Sequence, residues 1–215
     1  LLLLMVPGLL ILKDHIAGKW WGDLLSWITY LNLGFATLTF GLVVFRDLVW
    51  LGLLILYHLF VALLPSLNDL YIAAIPPLSH QAPLMASNLV VVTLSIFLSG
   101  WGLYQARRKP RVTAVSVPID KLPDALDGFR IVHFSDVHAG PTIKRPQVQA
   151  IVDQIDKLEA DLIACTGDIA DRSVSQLNYD VAPLAQLKAR HGCFFVTGNH
   201  EYYAGAETWI EALKQ

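Results

Sequence analysis

Three short polar clusters mark the second half of this 215-residue chain: "SDVHAG" at 135–140, "TGDIAD" at 166–171 and "TGNHE" at 197–201. Each follows an apolar run. Together they supply carboxylate, imidazole and carboxamide groups from Asp136, His138, Asp168, Asp171, Asn199 and His200. An oxygen and nitrogen donor set without thiolate suits Mn, Fe or Zn better than copper or an iron–sulfur cluster. A carboxylate can also bridge two metals about 3.5–4 Å apart, the geometry used for in-line attack at phosphorus. Asp and His one residue apart can turn towards one ion as the chain leaves a strand. Taken singly, a DxH means little, and a Gly-Asp or Gly-Asn is usually a turn. Here all three occur, in order, each after an apolar run.

The elements that must position these residues alternate. "RVTAVSVPI" (111–119) and "GFRIVHFSD" (128–136) read as strands. Pro146 opens a helix whose Val148, Ile151, Val152, Ile155 and Leu158 fall at helical spacing. "DLIACTGD" (161–168) reads as a buried strand, 180–190 as a helix with Pro183 in its first turn, 192–200 as a strand and 206–215 as a further helix. Such alternation argues for a parallel α/β sheet. Parallel strands place their carboxyl ends on one edge, where open α/β sheets bind ligands, so the three clusters are expected to converge. Gly167 and Gly198 each precede a polar residue and are expected to let the backbone bend there.

The first half has a different composition. Only three Lys/Arg and four Asp/Glu precede residue 106, against thirteen and fourteen from there on. A membrane-crossing helix needs about 20 mostly apolar residues. Residues 24–45 and 84–104 meet that, and 48–64 is slightly short, with Arg46-Asp47 read as a hairpin between the first two spans. Residues 1–12 read as the end of another span, giving about four helices over 1–105, a basic linker at 106–112 and a soluble part at 113–215. Trp20, Trp21 and Trp101 fit an interfacial belt. By the positive-inside rule "ARRKPR" (106–111) and Arg46 are cytoplasmic and 65–83, without Lys or Arg, is outside; Lys13 and Lys19 fall on the wrong side. His58, alone in its span, reads as a helix–helix hydrogen bond. The net charge of −2 describes neither half, and the soluble half carries no basic excess of the kind a nucleic-acid binder needs. Two cysteines, Cys165 and Cys193, are too few for a disulfide framework and read as buried free thiols.

The series "DVH…GDIAD…GNHE" resembles the calcineurin-like metallophosphoesterase family, whose pattern is DxH, GDxxD, GNH[DE], then a lone His and a GHxH. "LDGFRIVHFSDVHAGPTI" and "TGNHEYYAGAETW" are similar to its membrane-associated bacterial branch. The resemblance implies a β-sandwich flanked by helices and two divalent metal ions. It implies that Asp136 and His138 bind the first metal, Asp168 bridges both and Asn199 binds the second. His200 would protonate the leaving oxygen, oriented by Asp171, with a metal-bridging hydroxide as nucleophile. The substrate would be a phosphomonoester, phosphodiester or pyrophosphate, and the tether to a lipid bilayer suggests a lipid-linked one.

No histidine follows His200, so the lone His and the GHxH are absent and the C-terminal half of the sandwich is expected to be missing. The first metal would keep three ligands and the second two. The alternative to an enzyme is therefore a membrane-anchored binding or scaffold protein of the same fold. Arg172 reads as a solvated loop arginine, Glu201 as a support for its loop, and Tyr202 and Tyr203 as pocket lining or packing.

Overall fold

A computed structural model describes residues 19–63 and 81–214. The expected span at 1–12 and the 65–80 part of the outside loop lie outside the described residues. Contacts divide the chain into two units. Among described residues the first holds 28–107, and the second holds 19–27 with 108–214.

The first unit is built on helix α1 (Trp20–Leu63) and helix α2 (Gln81–Ala106). Both are long and apolar enough to cross a membrane, and they expose large side chains such as Phe40, Phe45, Leu63, Leu89 and Phe97. The hairpin expected at Arg46-Asp47 is absent, since α1 runs through it without interruption. Neither residue is a helix breaker, and no Gly or Pro adjoins the pair. The polar step is satisfied from within the helices instead. Arg46 bonds the Asp47 carboxylate at 2.8 Å and also the Asn88 side chain on α2.

The second unit carries a parallel three-stranded sheet in the order β1 (Ile131–Phe134), β2 (Leu162–Cys165), β3 (Cys193–Phe195). Ile131 faces Leu162 and Ile163 faces Cys193, as an α/β alternation demands. Between β1 and β2 runs α3 (Arg145–Asp156), which buries the expected Val148, Val152 and Ile155. Gln147 caps its start, accepting the Lys144 N–H at 3.0 Å. The core gathers Val137, Ala139, Val148, Cys165, Ile169, Ala170, Leu177, Val181 and Trp209. At about 25 cal/mol per Å² of apolar surface removed from water, burial of this set is the main favourable term holding the loops in place.

Three expectations shift. Residues 111–119 form no strand; 110–115 line a groove of about 380 Å³ shared with β1 and α3, and Val112, Val115, Val117 and Ile119 are exposed. An alternating stretch becomes a strand only when a neighbouring strand pairs with it, and among the described residues none does. The helix expected at 180–190 starts earlier, as α4 (Val174–Val181), and tightens into a 3₁₀ turn over Ala182–Gln186. Pro183 explains this, because proline cannot donate to a continuing α-helix. Finally, β3 stops at Phe195, so Asn199 and His200 open helix α5 (Asn199–Ala204) rather than end a strand, and α6 (Ala206–Leu213) follows. Among the described residues the sheet is single; no second sheet stacks on it. Ile131, Phe194 and Val196 are exposed on it.

Candidate metal centre

The three clusters do converge, because the β1–β2 ladder continues beyond both strands. The Asp136 N–H donates to the Gly167 carbonyl at 3.1 Å, His138 to Asp168 at 3.0 Å and Ala139 to Ile169 at 2.8 Å. The return bond runs from Asp171 to Ala139 at 2.9 Å. This irregular extension forces an unusual backbone. Asp136, His138 and Asp168 all adopt left-handed φ, at 57°, 50° and 54°. A non-glycine residue held there costs roughly 1–2 kcal/mol, and such strain gathers at functional sites where surrounding contacts enforce it. Val137, between the two strained residues, is buried in the core. Asp136 and His138 are therefore presented together on the edge of the sheet.

Both glycines matter, for different reasons. Gly167 sits at φ 91°, which favours glycine, and a Cβ there would fall 2.6 Å from the Gly198 Cα. Gly198 has an ordinary φ of −93°. Its constraint is closeness: a Cβ would lie 2.6 Å from the Asp168 Cγ. The expected bend is thus borne by Gly167, and Gly198 serves close approach.

At the centre, one ligand atom each from His138, Asp168 and His200 lies within 4.8 Å of the others. His138 Nε2 is 3.7 Å from the exposed Asp136 carboxylate, and Ser135 donates its hydroxyl to that same carboxylate. Asp171 Oδ1 accepts from His138 Nδ1 at 2.7 Å and lies 2.8 Å from His200 Nδ1 as an ion-pair contact. The two rings meet edge to face with centroids 4.5 Å apart. Asp168 is held from the other side, its Oδ1 accepting the His200 N–H at 2.9 Å. Asn199 starts α5 with its side chain exposed. Burial alone would lower the His138 pKa, but the hydrogen bond to Asp171 and the charges of Asp171, Asp168 and Asp136 together outweigh it and raise the imidazole above 6.5. A site that favours a proton on His138 favours a cation for the same reason. The donors present therefore fit a divalent metal ion.

The surroundings correct three side-chain expectations. Arg172 is buried, not solvated. Its guanidinium lies 3.8 Å from Asp23 in the first turn of α1, and Lys144 Nζ lies 3.0 Å from the same carboxylate, all within the second unit. The Arg172 carbonyl accepts from the Trp209 indole at 3.0 Å, which anchors the chain next to Asp171. Cys193 is exposed, whereas Cys165 is buried as expected; both are free. Tyr202 and Tyr203 are exposed, although Tyr203 meets the His200 ring at 5.8 Å. Glu201 does support its loop: it is fully buried and accepts backbone N–H groups from both metal-side loops. The sequence signal for that was available, since Glu three residues after Gly198 fits a helix-start capping box. His200 stands with the metal-capable atoms, as the converging donor set of the sequence anticipated, although the resemblance implied a proton-donating role for it.

Comparison with known proteins agrees with this geometry. The calcineurin-like phosphoesterase family profile matches residues 129–214. The "Transmembrane protein with metallophosphoesterase domain" of Danio rerio is 40% identical over 58% of this chain and 29% of its own length. The protein of the same name in Bos taurus is 38% identical over 65% of this chain and 32% of its own length. An "Uncharacterized metallophosphoesterase" of Helicobacter pylori is 34% identical over 52% of this chain and 30% of its own length. The chain thus spans about a third of the length of these relatives, which are vertebrate as well as bacterial. No solved structure matches it.

Proposed function

We propose, from the match of residues 129–214 to the calcineurin-like phosphoesterase family, that this chain acts in membrane-anchored, metal-dependent hydrolysis of phosphate monoesters, diesters or pyrophosphates. The observation that carries the proposal is the convergence of His138, Asp168 and His200 within 4.8 Å, beyond the carboxyl ends of parallel strands. In this reading Asp136, His138 and Asp168 would hold one divalent ion, and Asp168 and Asn199 would hold a second. Mn, Fe or Zn suits such donors. When bound, the ions supply Lewis-acid polarisation of the phosphoryl group and an activated water.

The chain's own residues handle the rest. Asp171 fixes the His200 ring through Nδ1 at 2.8 Å, so Nε2 is the atom that gives a proton to the leaving oxygen. General acid catalysis of this kind contributes about 100- to 10,000-fold in rate. Asp171 orients His138 through the same oxygen, at 2.7 Å, which couples the metal-binding ring to the proton-donating one.

The apolar helices serve as a multi-pass anchor, with the domain on the cytoplasmic face. The basic stretch Arg107–Arg111 after α2 supports that side. So does the Asp23–Lys144 ion pair at 3.0 Å, which brings Lys19 to the domain's side. A tethered site meets substrate at the bilayer surface, so the substrate class is a lipid-linked phosphodiester or pyrophosphate. The test uses purified protein in nanodiscs with Mn²⁺, offered an aryl phosphodiester and a lipid-linked pyrophosphate. Hydrolysis of the lipid-linked substrate that stops on adding EDTA is expected. Ready cleavage of the soluble diester alone would overturn the lipid assignment. Mn²⁺ binding without hydrolysis of either would overturn catalysis and favour the scaffold alternative.

A further inference from the structure

Glu201 is completely buried, and its carboxylate joins the two loops that bear the candidate ligands. Oε2 accepts the Gly198 N–H and the Asp168 N–H, each at 2.8 Å. Oε1 accepts the Ile169 N–H at 2.7 Å and the Ala170 N–H at 3.4 Å. A single side chain thus satisfies four backbone donors on two separate loops. One of the four belongs to Asp168, which is held at φ 54°. A non-glycine residue persists in that region only when its surroundings over-determine it, and two of the four bonds fall on Asp168 and its neighbour Ile169.

We propose that Glu201 is a positioning residue. It holds Asp168 in its left-handed conformation and fixes the separation between Asp168 and the Asn199–His200 turn, thereby setting the affinity of the centre for a divalent cation. This rests on the metal-site reading above. Without an acceptor between the loops, Asp168 relaxes to negative φ and its carboxylate leaves the position in which Oδ1 accepts the His200 N–H at 2.9 Å. Gly167 and Gly198 are close-packed, so the loops have little freedom to re-form the geometry in another way. Partners that orient ligands in this fashion typically change metal affinity by about 10–100-fold when replaced.

The variant is Glu201→Gln, which keeps the shape but turns an NH₂ towards backbone donors. Asp180→Asn is the comparison. Asp180 is also a buried carboxylate, but it accepts the Arg145 N–H at 3.1 Å and pairs with Lys144, away from the ligands. Mn²⁺ affinity is measured by calorimetry on the purified chain, alongside thermal unfolding without metal. The expected result is a Mn²⁺ affinity at least tenfold weaker in Glu201→Gln and unchanged in Asp180→Asn, with both variants less stable. Equal affinity in Glu201→Gln and wild type overturns the proposal, as does an equal loss in both variants. If Glu201→Gln does not fold, Glu201→Asp takes its place, its shorter carboxylate reaching fewer donors, with the same criteria. A wild-type chain that binds no Mn²⁺ overturns the metal reading itself, whereas intact affinity in the variant overturns only the positioning role.

Discussion

Three glycines of the second unit separate the sources of backbone constraint, and alanine at each has a cost that can be worked out beforehand. Gly128 has φ 75° with open space where a Cβ would stand. Alanine there suffers only the left-handed penalty, roughly 1–2 kcal/mol. Gly198 has φ −93°, so alanine suffers only overlap with Asp168, whose carboxylate Cγ would lie 2.6 Å and whose backbone N would lie 2.7 Å from the Cβ. Overpacking of that kind costs about 1–3 kcal/mol. Gly167 combines both, at φ 91° and with the Gly198 backbone in the way, for about 2–5 kcal/mol together. In a unit of this size 1 kcal/mol moves the melting temperature by about 4–8 °C. Thermal unfolding of the three variants in detergent, without metal, ranks them. Gly167→Ala is the least stable. Mn²⁺ titration then divides the other two: Gly198→Ala displaces Asp168 and loses affinity, and Gly128→Ala keeps it. The reasoning fails if Gly167→Ala is no less stable than Gly128→Ala, or if Gly198→Ala binds Mn²⁺ like wild type.

His200→Ala lowers the rate of phosphodiester hydrolysis by about 100- to 10,000-fold while Mn²⁺ remains bound; steady-state kinetics with a metal assay checks both, and undiminished activity would remove the assigned role. His138 carries a raised pKa, from burial opposed and outweighed by Asp171, Asp168 and Asp136. A proton therefore competes with the cation, and Mn²⁺ affinity falls about tenfold per pH unit below that pKa, as a calorimetric pH series would record. In the metal-free protein the same shift contributes stability that is full below 6.5 and is lost as pH rises through the folded pKa. Burial pushes the Cys165 thiol up to about 11, with the Glu201 charge adding to the effect against a backbone hydrogen bond to Gly167. A thiol reagent thus labels exposed Cys193 in the native protein and Cys165 only on unfolding. The stability linked to Cys165 is complete below 9.0 and is lost as pH climbs towards about 11.

Much of the centre was legible because its signals are local and ordered. Apolar runs ending in Asp-x-His, Gly-Asp and Gly-Asn-His indicate a parallel sheet with one polar edge, and Asp136, His138, Asp168, Asp171 and His200 meet there. Long-range geometry was less legible. Spacing does not reveal that one Asp171 oxygen serves two imidazoles, or that Gly198 matters for closeness and not for φ. Residues 111–119 have strand composition, but pairing depends on a neighbour that a local pattern cannot supply. The Arg46-Asp47 step misled for the opposite reason. A charged pair looks like a boundary in hydropathy, yet the backbone has no cause to turn there and the side chains find partners in the Asp47 carboxylate and Asn88. Arg172 was read as solvated because Asp23, 149 positions earlier in the numbering, cannot be seen beside it in a sequence.

The central claim is that the strand-end residues form one divalent-cation site. Electron paramagnetic resonance of Mn²⁺ titrated into the purified protein addresses it most directly, comparing wild type with Asp168→Asn. Wild type is predicted to take up Mn²⁺ with loss of the free-ion signal, and Asp168→Asn to leave that signal largely intact. Equal uptake by both proteins, or none by wild type, would contradict the account.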